Sequence, residues 1–354
     1  MWKMSTWLGI IITLSTACQT PAQPLMAAPP VPEAATASRP RSPAGPWPGF
    51  ARSRHFGEQT QEYIFEPGVK IHINAPDPAT IDPAKPASLV LYCLPNGNTT
   101  PQTIGRRMAP GVDWHFDIQH IGAQVRRLRE IDTGQTWIAA YLEADGRSWP
   151  AWKTKHPDFP KTLPAVVAGI RDRVRLPRVS IALSGHSGGG SFIFGYLDSV
   201  NRIPDEISRI AFLDANYGFT DGRQYAEKIL EWLKRSRHHY LNVVAYDDRD
   251  VVLNGRNIVG PDGGTYRKTL RMLERLGKDI EFTDTRTDAY GRHRGLNGQV
   301  EMILHENPAR KILHTALVGE MSGFIHVMTS GTDLEGKVAT FRGPVTYDKW
   351  IQPD

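Results

Sequence analysis

Three observations predict an α/β fold built on a doubly wound, mostly parallel sheet. Apolar runs of strand length alternate with helix-like segments along most of the chain. Several of these runs are uninterrupted, as strands buried on both faces are. One of them ends in a glycine-rich turn that opens a helix. The 354 residues allow one large domain of this class or two modest ones. With 40% hydrophobic and 22% charged residues the chain can bury a sizeable core, which excludes wholesale disorder. The 42 Lys and Arg against 37 Asp and Glu are scattered, so the net +5 marks no basic arm and no nucleic-acid partner is predicted.

At the start, Lys3 precedes the apolar run Leu8-Gly9-Ile10-Ile11-Ile12, and Ser15-Thr16-Ala17-Cys18 follows. Residues 1–18 read as an export signal. The apolar run falls far short of the ~20 residues of a spanning helix, and no later segment reaches that length. The ending at Cys18 resembles a bacterial lipoprotein cleavage site, although the usual leucine sits one place too early. Two outcomes stand: a lipid anchor on Cys18, or ordinary cleavage further along. Either makes the protein exported, whether periplasmic, envelope-anchored or secreted, and membrane contact is expected only through that anchor. Residues 19–49 are dominated by Pro, Ala and Ser and read as a tether, leaving one domain over 50–354. Cys93 is the other cysteine; it lies in an apolar run, so it is expected to be a buried strand residue, with no structural disulfide.

Past the tether, residues 63–65 and 69–73 flank Pro67-Gly68, a hairpin signal, and 89–94 form the next strand. Ile118, Ile121, Val125 and Leu128 recur at helical spacing, and Gln124, Arg126, Arg127 and Arg129 are expected on that helix's solvated face. Then come a strand at 137–142, a helix over 162–175, a strand at 179–183 and a helix over 191–200. A strand at 210–213, a helix around 225–234 and a strand at 241–245 follow. Residues 300–305 and 312–318 both read as strands; the link between them is too short for a parallel crossover, so they are expected to pair antiparallel. Aromatic and cationic residues in two expected loops, at 148–152 and 292–294, stand as pocket or surface residues.

Chemistry in such sheets gathers at the carboxyl ends of the strands. There the run 179–183 leads into Ser184-Gly185-His186-Ser187-Gly188-Gly189-Gly190 and then an apolar helix. This is G-x-S-x-G between a strand and a helix, the setting in which a serine is held exposed on a strained turn. Glycines flank it because backbones must approach closely there, and the helix end brings positive potential to a developing oxyanion. No Lys follows the glycines, as a phosphate-binding P-loop requires, and the glycine spacing does not fit a dinucleotide fingerprint.

On this motif and its setting the chain resembles the α/β-hydrolase superfamily of serine hydrolases, from about residue 60 to the C-terminus. The resemblance implies Ser187 as nucleophile, followed in the chain by an acid and then a histidine. It implies an oxyanion hole from the N–H of Gly188 with that of Asn96 or Gly97, in a loop where Pro95 replaces the family's frequent His. The acid is expected after the strand 241–245. The family's spacing of acid, two residues, Val selects Asp248, with Asp247 and Asp250 as neighbours and Asp214, after the preceding strand, as a further alternative. The base is expected after the last strand; if that strand is 312–318, the base is His326, with His314 as the alternative and His293 and His305 behind them. No H-E-x-x-H or cysteine pair appears, so no metal is predicted, and the mechanism calls for no cofactor. The expected function is hydrolysis of carboxylic esters, on a small-molecule or acylated substrate, through an acyl-enzyme intermediate. Two alternatives stand beside it: a peptidase or amidase of the same fold, and a surface binding module that has lost its Ser-acid-His set. The stretch between Asp214 and Leu241 is too short for a large cap, which favours esters over peptides.

Overall fold

The computed structural model describes residues 45–112, 114 and 118–353. The export signal, Cys18 and the tether up to residue 44 lie outside the described residues. Trp47 packs edge-on against Phe50, and its backbone N–H donates to Gln59 Oε1 at 2.7 Å, so the chain already docks on the domain before residue 50.

The first half supplies β1 (Ala51–Arg52), β2 (Gln59–Phe65), β3 (Val69–Ala75), β4 (Ala87–Cys93), α1 (Thr100–Ile104), α2 (Ile121–Ile131), β5 (Thr136–Ala144), α3 (Trp149–Lys155) and α4 (Phe159–Arg173). Then follow β6 (Val179–His186), α5 (Gly190–Ser199), β7 (Ile207–Leu213), α6 (Tyr225–Arg235), β8 (Tyr240–Tyr246) and the small hairpin β9 (Val252–Leu253) and β10 (Arg256–Asn257). The last elements are α7 (Thr265–Leu276), β11 (Phe282–Arg286), β12 (Tyr290–Gly295), β13 (Val300–His305) and α8 (Gly323–Thr329). Eleven of the described strands form one sheet in the order β1-β2-β3-β5-β4-β6-β7-β8-β13-β12-β11. The central block from β5 to β13 is parallel, and the strands on both flanks are antiparallel.

Every residue of β4 is buried, as its unbroken apolar run requires. Its side chains divide by the period of two: Leu89, Leu91 and Cys93 join one cluster with Leu163, Val167, Phe192 and Ile193, whereas Val90, Tyr92 and Leu94 join another with Ile121, Val125, Phe324 and Ile325. Helices α4 and α5 thus cover one face, and α2 and α8 the other. Cys93 is a buried free thiol whose pKa burial pushes well above its ordinary value. Because β4, β6, β7, β8 and β13 run in one direction, the segments that follow them emerge along one edge of the sheet.

Four expectations need correction. Residues 312–318 form no strand. Leu317 N–H donates to the Leu313 carbonyl at 2.9 Å and Gly319 N–H to that of Thr315 at 3.3 Å, so the apolar residues spaced four apart follow helix-like turns. Accordingly β13 is the last parallel strand; it pairs with β8 and takes its antiparallel partner from β12, upstream. The polar side of α2 is not solvated: Gln124 and Arg126 are buried, and Arg126 (2.9 and 2.8 Å) and Arg129 (2.5 Å) converge on the buried Glu58 carboxylate. Residues 149–152 are helix, capped by Ser148, with Trp149 and Trp152 in the core. Residues 292–294 belong to β12, where Arg292 and Arg294 pair with Glu301.

Candidate active site

Ser187 follows β6 directly and takes φ +53°, a left-handed conformation that costs a non-glycine residue strain and holds it on a sharp turn. The turn fits because Gly188 and Gly189 have no side chains: a Cβ on Gly188 would overlap the Asn96 amide, and one on Gly189 would overlap the Cys93 carbonyl. The turn runs straight into α5, so the first N–H groups after Ser187 lie where a helix leaves donors without intrahelical acceptors. Ser187, Gly188 and Asn96 line a cavity of about 770 Å³, with Phe159, Phe194 and Tyr217 among its walls. Gly97 does not line it, and its N–H is already donated to the Arg147 carbonyl at 2.9 Å.

The segment after β13 carries His314, half-buried beside the turn. Its Nδ1 is hydrogen-bonded to Asp214 Oδ2, and its carbonyl accepts from His186 Nε2 at 2.9 Å. Those two imidazole rings lie 4.4 Å apart between centroids. Nε2 of His314 makes no hydrogen bond among the described residues. Asp214 directly follows β7, is fully buried at φ +48°, and accepts from the Thr265 hydroxyl at its other oxygen.

His186 anchors this arrangement from below. The Tyr92 hydroxyl donates to Gln119 Oε1 at 2.5 Å, Gln119 Nε2 donates to His186 Nδ1 at 3.1 Å, and His186 Nε2 donates to the His314 carbonyl. With both ring nitrogens committed in one tautomer, His186 stays neutral; burial first, then His314, holds its pKa well below the ordinary value. Nothing in the sequence marks His186 for this role, because Tyr92 and Gln119 meet it only through the sheet and the segment before α2.

Asp248 lies after β8, buried, with Oδ2 accepting from Thr265 N–H at 3.3 Å and Oδ1 without a partner. Burial, and then the charge of Asp214, push its carboxyl up to about 7. Asp247 is held by Arg249 at 2.8 and 2.6 Å, and Asp250 is exposed beside Arg310 at 3.5 Å. His326 sits within α8, buried, with Nε2 bonded to Glu301 Oε2 at 2.9 Å. Glu301 is in the first half of β13, so His326 and the Asp248 carboxylate stand at different levels of the sheet and are not brought together. His305 accepts from Asn307 N–H at 3.0 Å and contacts Arg342, and His293 bonds Asp284 at 2.7 Å on the outer strands. Burial and then Arg342 lower the His305 pKa to about 4. Among the described residues, no three His, Cys, Asp or Glu side chains are gathered as a metal ion would need.

No family model matches the chain, and no curated protein matches it. It is similar to solved structures of a cold-adapted esterase from an Arctic intertidal metagenomic library (13% identity, 77% of this chain and 94% of that chain, TM-score 0.41) and a thermostable esterase (16%, 77% and 63%, TM-score 0.41). An acetyl xylan esterase from Aspergillus awamori is a third (9%, 70% and 92%, TM-score 0.39). Likeness of this degree carries no conclusion about this chain, whose chemistry rests on the residues at the strand ends. No described helix is long and apolar enough to cross a membrane.

Proposed function

We propose that the chain is a serine hydrolase of the doubly wound α/β-hydrolase type that cleaves carboxylic esters, with Ser187 as nucleophile, His314 as base and Asp214 as the orienting acid. The observation that carries this reading is the His314–Asp214 pair beside the left-handed Ser187, with His314 Nδ1 committed to the acid and Nε2 unbonded. In the proposed reaction Ser187 Oγ attacks the acyl carbon while its proton passes to His314 Nε2. Asp214 accepts from Nδ1–H throughout, which fixes the tautomer and stabilises the imidazolium. The N–H groups of Gly188 and Asn96 receive the oxyanion; Gly97, engaged with Arg147, leaves the set. The C–O bond then breaks, the alkoxide leaves with the proton from His314, and water repeats the sequence to free the acid and Ser187.

This assignment takes the second-ranked histidine and the alternative acid of the sequence reading. His326 is spent on Glu301, and Asp248 meets no imidazole among the described residues, its one side-chain hydrogen bond coming from Thr265 N–H while burial and the Asp214 charge push its carboxyl up to about 7. Between Asp214 and Leu241 the chain forms only short turns and α6, which suits small ester substrates better than a peptide held in an extended cleft. We further propose export through residues 1–18, with membrane contact only through Cys18.

The test is covalent. A fluorophosphonate should label Ser187 and no other residue, short-chain aryl esters should be hydrolysed faster than peptide anilides, and Ser187→Ala should abolish labelling and lower turnover by up to about 10⁶-fold. Labelling elsewhere, or unchanged turnover in Ser187→Ala, overturns the mechanism.

A further inference from the structure

The cavity beside Ser187 is not uniformly apolar. Asp198, Arg223 and Lys153 also line it. The Asp198 carboxylate is already committed: Arg223 Nη1 reaches Oδ2 at 3.2 Å, and the Tyr225 hydroxyl donates to Oδ1 at 2.9 Å. Lys153 has no hydrogen bond or ion pair among the described residues, although its neighbour Lys155 is paired with Asp145. Its place is built nonetheless. Gly195 leaves room for its stem, since a Cβ there would stand 2.9 Å from Lys153 Cδ, and its ammonium lies over the Phe159 ring at 5.3 Å. The three charged groups leave a surplus of one positive charge in a half-enclosed site whose other walls include Phe159, Phe194, Tyr217 and Tyr225.

We infer that the cavity selects esters that carry an anionic group, a carboxylate on an apolar body, which Lys153 receives while the ester carbonyl sits at Ser187. This rests on the serine-hydrolase reading above. The physical reason is that a partly desolvated ammonium gains most from a ligand that supplies the missing counter-charge. Burial lowers the Lys153 pKa against the pull of Asp198, and a bound carboxylate would raise it again. The carboxylate can belong to the acyl part or to the alcohol part, and the two are separable by experiment.

Two matched pairs decide it. The 4-nitrophenyl ester of glutarate is compared with its neutral methyl ester for the acyl side, and 4-acetoxybenzoate with its methyl ester for the alcohol side. In one arm the free carboxylate should be preferred in kcat/KM by about 10-fold or more, mainly through KM, with the preference shrinking at high salt. Lys153→Met should collapse that ratio while the neutral ester is still turned over, and Lys153→Arg should restore part of it. A preference for the neutral ester in both arms, or one that survives Lys153→Met, overturns the inference. Absence of hydrolysis in every arm would instead remove the serine-hydrolase reading. Calorimetry with monomethyl glutarate on Ser187→Ala protein, with and without Lys153→Met, then decides the anion site alone: equal binding, or none, refutes it.

Discussion

Histidines 314 and 326 lie twelve residues apart in the chain, yet the structure gives them different surroundings, and replacing each in turn separates chemistry from stability. His314 is 27% exposed, and its loss leaves the buried Asp214 still bonded to the Thr265 hydroxyl. The fold should tolerate His314→Ala, whereas kcat/KM for 4-nitrophenyl acetate should fall by about 10⁶-fold, or roughly 8 kcal/mol of transition-state stabilisation. His326 and Glu301 are each 1% exposed, and breaking such a pair costs about 3–5 kcal/mol, a large part of a domain's net stability. Glu301 keeps Ser330 at 2.7 Å and Arg294 at 3.1 Å, so His326→Gln, which can still donate to the carboxylate, should fold. Its melting temperature should drop by several degrees, with kcat/KM per folded molecule within a few-fold of the parent. Thermal unfolding by circular dichroism and initial rates on the same samples supply both readouts. A folded His326→Gln protein without activity, alongside an active His314→Ala protein, would refute the assignment.

The acids give a second contrast: Asp214→Asn should lower kcat by about 10⁴-fold by removing the carboxylate that orients His314, and a near-normal rate would point back to Asp248. Asp248→Asn should act on stability instead. Its folded pKa of about 7 lies above the ordinary carboxyl value, so the folded state keeps a proton that the unfolded chain releases between roughly pH 4 and 7, and wild-type stability falls as pH rises through that window. The melting temperature of Asp248→Asn relative to the parent should therefore climb from pH 4 to pH 8, and a constant difference would contradict the raised pKa. His186→Gln, able to donate to the His314 carbonyl, should retain more kcat than His186→Leu at similar KM; equal losses in the two would remove the positioning role.

The architecture was legible where a physical constraint acts on consecutive residues. A strand buried on both faces must be apolar throughout, so β4, β5, β6 and β8 stand out, and the glycines around Ser187 announce a turn packed against neighbouring backbone. The partners of the serine depend on contacts made across the fold. Reading 312–318 as the last strand moved the loop after the last strand to His326. The parallel pairing of β13 with β8 returns that loop to residues 306–322, which contain His314. The antiparallel partner of β13 is β12, upstream of it, not a strand formed by 312–318. The arginines of α2 were misjudged for a similar reason: Glu58 lies 68 residues before Arg126, and no local pattern says that a carboxylate will meet them.

The choice between the two acids turns on the same kind of remote contact. Asp214 and Asp248 stand at the ends of adjacent parallel strands, and the charge of Asp214 opposes the ionisation of Asp248. Thr265, the first residue of α7, serves both, its hydroxyl donating to Asp214 and its backbone N–H to Asp248. The difference between them is the imidazole: Asp214 has His314 on its second oxygen, whereas Asp248 Oδ1 has no partner. Burial first and then the negative charge of Asp214 push the Asp248 carboxyl up, and Asp248 has no imidazole beside it among the described residues to offset them. Ionisation of Asp248 would place a second negative charge in the same buried region as Asp214, which is why its proton is held to higher pH than an ordinary carboxyl's.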